Sequence, residues 1–255
     1  MAENTSADGS ITWASFKKHT EAFHVLSNQQ HLQVDIHLPP SLEAGKSHPL
    51  IITYHGGGLI GGDRGGYEYM SPWLPAYAAE ANAIIVSPDH RLLPKASGRD
   101  VRDDLDALWK WVNSSLNSIV GQIAPEHTAD LSRILVQGES AGGFCAAHLA
   151  LSYPDKIRAA MLGYPMVGGF HEQGLVKQKM FPPELLPSKE ELASWIKQQN
   201  ALENWPLVRN DDTNFLIGLF QDQAAYLEAF GSDKDISPTY RAAEGGDATG
   251  IPERV

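Results

Sequence analysis

The residues Gly138-Glu139-Ser140-Ala141-Gly142-Gly143 lie between a short aliphatic run, Arg133 to Gln137 (RILVQ), and an almost wholly apolar stretch, Ala141 to Leu151. The first reads as a strand buried on both faces, the second as a helix packed on a sheet. A serine at such a junction must turn the chain abruptly, with positive φ at the serine itself, so that its hydroxyl stands above the sheet. Side chains two residues before and two after would collide in that turn, which calls for glycine at Gly138 and Gly142. The helix that follows offers its N-terminal dipole and the free N–H of Ala141 to a developing negative charge. The competing reading is a glycine-rich turn with an incidental serine; the strand before it and the helix after it count against that.

Working outward, Pro49–Tyr54 (PLIITY), Ala83–Ser87 (AIIVS) and Ala159–Gly163 (AAMLG) are further continuous apolar runs of the buried-strand kind. Ala22–Leu26 and Leu32–Leu38 alternate polar and apolar residues, as antiparallel strands with one wet face do. Arg99–Leu116 carries Val101, Leu105, Leu108 and Val112 on one stripe, opposite Asp103, Asp106 and Lys110. The expected fold is therefore α/β: a mixed, mostly parallel sheet with helices on both faces, forming one domain over residues 1–255. Residues 1–10 are polar and small and are expected to be disordered. From about 166 to 235 the pattern turns helical. Ser188–Asn200 has a capping box, Ser188 with Glu191, and a second helix is expected from about Asp212 to Phe230. These helices fit either simple packing on the sheet or a lid over an apolar pocket.

A second motif, His55-Gly56-Gly57-Gly58, ends the PLIITY run. Three glycines after a parallel strand let backbone N–H groups face a cavity, the form of an oxyanion loop that partners a serine turn. Gly56, Gly58 and Gly61 also satisfy a dinucleotide-binding fingerprint, but no helical pattern follows and two strands precede it, against that reading. The chain holds 20 Lys and Arg against 31 Asp and Glu, a net charge of −11. That balance argues against nucleic acid or an anionic membrane as the main partner. A single cysteine, Cys145, excludes a disulfide framework and a Cys-rich zinc site, and nothing calls for a metal or cofactor. With no run of about 18 apolar residues and no export signal, the expectation is a soluble, cytoplasmic protein.

The loop His55–Gly58, the segment Asp89-His90-Arg91-Leu92-Leu93-Pro94 and the turn Gly138–Gly143 together resemble the hormone-sensitive-lipase branch of the α/β-hydrolases, the fold-3 esterases. The middle segment is similar to that family's Y-R-L-A-P, with His90 for Tyr and Leu93 for Ala; Leu59 replaces the family's aromatic residue after the third glycine. The resemblance implies an ester hydrolase with Ser140 as nucleophile and Gly57, Gly58 and Ala141 as oxyanion donors. It also implies structural roles for His55, Gly56, Arg91, Gly138 and Gly142, and a small apolar ester as the molecule bound.

A serine hydroxyl needs a histidine to take its proton and an acid to orient that histidine. Only His148 and His171 follow Ser140. His148 lies two turns along the same helix, and His171 is preceded by Asp155 in a turn at the far end of a strand, so neither suits the role. Ile251–Val255 reads as the start of another strand. The family pattern would place acid and base beyond it, on the order of 60 residues further if each strand–helix unit takes about 30. The expectation is a C-terminally truncated hydrolase with little or no activity. The alternative is a non-catalytic binder of a small ligand, as in the plant gibberellin receptors, which resemble this family and lack the triad histidine.

Overall fold

The aliphatic runs pair into one six-stranded sheet. In the computed structural model, residues 10–40, 42–67, 70–166, 186–207, 215, 218–219 and 222–231 are described. The strands are β1 (Lys17–Val25), β2 (His31–Leu38), β3 (Ser47–Tyr54), β4 (Ile84–Pro88), β5 (Thr128–Glu139) and β6 (Ile157–Gly163). Their order across the sheet is β1-β2-β4-β3-β5-β6. β1 and β2 are antiparallel to each other, β2 is antiparallel to β4, and the remaining neighbours run parallel. This is the mixed, mostly parallel α/β sheet expected from the runs.

Both faces of the central strands are covered where their runs are continuously apolar, Leu50–Ile52 in β3 and Ile84–Val86 in β4. Leu50, Ile52, Ile84 and Val86 point into a large core that also holds Val101, Leu105, Leu108 and Val112. That stripe belongs to helix α2 (Gly98–Ser114), and all four residues are buried. Ile51 and Ile85, one residue out of phase, enter a smaller core on the other face with Leu74 and Ala78 of helix α1 (Leu74–Glu80). Each such aliphatic side chain removed from water contributes about 1.5–3 kcal/mol before entropy is counted. Helix α4 (Ala141–Ser152) lies on the larger core through Phe144, Cys145, Ala146 and Leu149.

Several boundaries differ from expectation. The helix expected over 99–116 is two, α2 and α3 (Leu116–Ile123), separated at Ser115, whose φ of −126° leaves helical geometry. β5 begins five residues early because Thr128–Asp130 pair with Ser47–Pro49 before the register slips, and Ile134 then resumes opposite Leu50. β1 begins at Lys17 because it pairs along β2 as far as Leu38. The capping box of helix α5 (Lys189–Asn200) is present, with Ser188 Oγ accepting from the Glu191 N–H. Of the helix expected from Asp212, a helix over Gln223–Phe230 (α6) is described. Residues 1–9, residues 167–185 and the Ile251–Val255 segment lie outside the described residues.

The connections fix where a site can lie. From β3 the chain crosses by α1 to β4 on one side, then by α2 and α3 to β5 on the other side of β3. Strand order therefore reverses between β3 and β5, and the crevice at their carboxyl ends is left open by helices departing to opposite faces.

Candidate active site

Ser140 stands at that reversal. It has φ 52° and ψ −118°, between the last residue of β5 and the first turn of α4. A Cβ on Gly138 would lie 2.1 Å from the Gly142 carbonyl oxygen, and one on Gly142 would lie 2.2 Å from the Tyr54 oxygen. The turn closes only because neither exists. The Ser140 N–H donates to the Gly163 carbonyl at 2.9 Å, and the Ser140 carbonyl accepts from the Met166 N–H at 2.9 Å, so the residue is tied to β6 and the chain beyond it.

Register brings the glycine loop alongside. Tyr54 pairs with Gly138, so residues 55–58 leave β3 beside the serine turn. The loop's carbonyls are then accounted for one by one. The Gly56 oxygen accepts from His55 Nδ1 at 2.7 Å. The Gly57 oxygen accepts from the N–H groups of Ile60 and Gly61, each at 3.0 Å. The Gly58 oxygen accepts from the Tyr226 hydroxyl at 2.8 Å, and the Leu59 oxygen from the Leu93 N–H at 2.9 Å. A trans peptide sets its N–H opposite its C=O. Fixing the Gly56 and Gly57 oxygens therefore turns the N–H groups of Gly57 and Gly58 the other way. Among the described residues, neither these two N–H groups nor that of Ala141 has a hydrogen-bond acceptor. Gly57 and Gly58 have φ of 100° and 64°, and a Cβ on Gly57 would meet the Gly61 oxygen at 2.3 Å.

The residues around the loop are braces. His55 and His90 are fully buried and stacked, with ring centroids 4.7 Å apart. Each donates from Nδ1 to a carbonyl, Gly56 for His55 and Arg91 for His90, which assigns the Nδ1–H tautomer to both. Burial drives their pKa values down, to about 4 for His55 and about 3 for His90, so both are neutral. Arg91 grips Asp104 through Nε and Nη2 and Asp100 through Nη1, and stacks its guanidinium 4.9 Å from the Trp205 ring centroid. Burial raises the Asp104 carboxyl to about 6 despite Arg91. Beyond the loop, Arg64 bridges Asp35 of β2 at 3.0 Å and Asp89 at 2.6 Å. Buried Asp89 is likewise raised to about 6.

Nothing described stands on the Ser140 hydroxyl as a base. His148 faces away, buried in α4 with Nε2 3.5 Å from Asp106, whose carboxyl it holds below its ordinary range. Asp155 lies before β6, at the opposite end of the strand from Ser140. His171 is outside the described residues. Among the described residues there is no group of three or more His, Cys, Asp or Glu able to hold a metal ion, and no helix long and apolar enough to cross a membrane.

Three participants went unseen in the sequence. Glu139, next to the serine, accepts from Ser71 Oγ at 2.5 Å and from the Tyr164 hydroxyl at 2.8 Å. Arg64 and Tyr226 are the others. Their partners are 25 to 168 residues away, and no local spacing announces them.

A family model described as alpha/beta hydrolase fold matches residues 51–212. A probable carboxylesterase M8 from Phoma sp. is 43% identical over 112 residues, 44% of this chain and 35% of that protein. The carboxylesterase NlhH of Mycobacterium tuberculosis is 36% identical over 119 residues, 47% of this chain and 33% of its own length. The chain thus matches about a third of the length of these relatives. The hyperthermophilic esterase of the archaeon Pyrobaculum calidifontis superposes with a TM-score of 0.53 over 88% of this chain and 60% of its own, at 20% identity. That likeness is one of fold.

Proposed function

This chain belongs to the α/β-hydrolase fold-3 family, and on that footing we propose that Ser140 is the nucleophile of a carboxylic-ester hydrolase. Its relatives named carboxylesterases support an ester as the substrate class. One observation carries the reading: a serine in a strained turn lies beside three backbone N–H groups that have no described acceptor, those of Gly57, Gly58 and Ala141. Ser140 Oγ attacks the ester carbonyl and gives up its proton to a base. The carbonyl oxygen becomes an oxyanion held by the three donors. Collapse expels the alcohol and leaves an acyl-serine, which water then hydrolyses. The loop's carbonyls are already tied elsewhere, so the donors need no rearrangement as charge develops. The substrate is a small or medium apolar acyl ester, with α5 and α6 as part of a lid.

The proton acceptor is not among the described residues, and the neutral, hydrogen-bonded His55 and His90 are scaffolding. Where no base reaches Ser140, turnover is slow. The rate left by an oxyanion hole and binding without a triad is roughly 10³–10⁴ over water. The second reading is a non-catalytic binder of a small apolar ligand. Hydrolysis of p-nitrophenyl butyrate, measured beside fluorophosphonate labelling, separates them. Weak turnover and labelling that both vanish in Ser140→Ala support the hydrolase. Turnover that survives Ser140→Ala removes Ser140 as nucleophile, and the absence of both reactions with saturable ligand binding favours the binder.

A further inference from the structure

We propose that Tyr226 of α6 is a positioning residue for the oxyanion loop, coupling the seat of this helix to the Gly58–Leu59 peptide that follows the two donors; this rests on the reading of Gly57 and Gly58 as oxyanion donors. Of the four loop carbonyls, Gly56 is held by its neighbour His55, Gly57 by the loop's own turn and Leu59 by the Leu92–Leu93 backbone. Only Gly58 depends on a side chain from a distant helix, through the Tyr226 hydroxyl at 2.8 Å. Gly58 has φ 64° and no side chain, so its two flanking peptide planes turn easily unless both are fixed. Tyr226 fixes the one after it. Tyr226 is itself 2% exposed, and burial pushes its phenol far up, so it remains a neutral donor at any working pH.

The helix is placed by aromatic contacts that lead back to the serine. Tyr226 stacks on Phe230 at 6.3 Å between centroids, and Phe230 meets Phe144 edge-on at 5.8 Å. Phe144 lies one turn into α4, and its N–H donates to the Ser140 carbonyl at 3.2 Å. Phe230 also closes on Gly98 at the start of α2, where a Cβ would lie 2.8 Å from the ring. α6 thus touches both halves of the site, the nucleophile's helix by packing and the donor loop by one hydrogen bond. When α6 shifts, the Gly58 carbonyl loses its donor, and the loop keeps only three of its four anchored carbonyls.

Tyr226→Phe tests this, since it keeps the ring and its packing and removes only the hydroxyl. Two readouts are needed on the full 255-residue chain. In amide hydrogen exchange, the segment 56–61 is expected to exchange at least about tenfold faster in the variant, while β3 and β5 are unchanged. In fluorophosphonate labelling of Ser140, the maximal inactivation rate is expected to fall about tenfold with the inhibitor's half-saturation constant unaltered. That is less than the 10²–10³ lost when an oxyanion donor is removed outright. A merely structural tyrosine would lower the fraction of labelled protein and leave the rate constant alone. Unchanged exchange over 56–61 overturns the proposal, as does an unchanged inactivation rate. If the wild-type chain does not label at all, the hydrolase reading fails, and the exchange measurement still decides whether Tyr226 braces the loop.

Discussion

Gly142 and Gly121 show how differently one residue type can matter. A methyl group on Gly142 would press on the Tyr54 and His55 carbonyls at 2.2 and 2.8 Å, with nothing flexible to give way. Gly142→Ala is expected to cost about 3 kcal/mol or more. At Gly121, in α3, a Cβ meets nothing within 4 Å, so Gly121→Ala should stabilise by about 0.5–1 kcal/mol through helix propensity alone. Urea melts of both variants check the contrast, and equal midpoints would refute it. At this scale the sequence was most readable where constraint is local. The glycines flanking Ser140 lie two residues from it, and the turn they permit follows from their spacing. The stacking of His55 on His90 and the Arg64 bridge depend on residues brought together across the sheet. Their positions in the chain do not disclose them.

Among elements, β6 forms one edge of the described sheet. Within the described residues it pairs with β5 on one side only, and Met161 and Leu162 are 46% and 38% exposed. Beyond Arg158 the strand carries no charge and no proline, the usual protections of a sheet edge. The chain of residues 1–255 expressed alone is expected to associate and to leave a size-exclusion column ahead of the monomer position. Met161→Lys, placing a charge on the exposed edge, should shift it toward monomer. A wild-type chain that is monomeric and melts cooperatively would defeat this expectation. Element type and order were readable because the aliphatic runs are continuous and the α2 stripe is strongly periodic. The break at Ser115 and the early start of β5 were not, because one is set by packing under the sheet and the other by pairing with Ser47–Pro49.

At the scale of the whole molecule, burial of titratable groups sets the response to acid. His37, His55 and His90 have folded pKa values of about 4, 4 and 3, below the ordinary 6.5. Their contribution is full above pH 6.5 and is lost as the pH falls, because the unfolded chain takes up protons that the folded chain refuses. Asp89 and Asp104, raised to about 6, act in the opposite sense and favour the fold at low pH. Between pH 6 and 4 three histidines outweigh two carboxyls, and from 6.5 to 6 the histidines act alone. Asp35 and Asp106, held low by Thr20 and Arg64 and by His148, add to the loss below about pH 4. Stability should therefore fall by roughly 2–4 kcal/mol from pH 7 to 4.5. A denaturant midpoint that holds steady or rises over that range would contradict the assignment of neutral buried histidines.

The four anchored carbonyls of the glycine loop carry one more consequence. Their donors sit one residue away for Gly56, three and four for Gly57, 34 for Leu59 and 168 for Gly58. The near pair can close as soon as the loop forms, whereas the far pair must wait until the sheet and α6 have come together. The loop thus acts as an audit of assembly: all four of its carbonyls are held only in a molecule whose distant parts have arrived. A chain folded in its core but loose at α6 would look native to a probe of secondary structure and still carry a glycine loop with the Gly58 carbonyl untied.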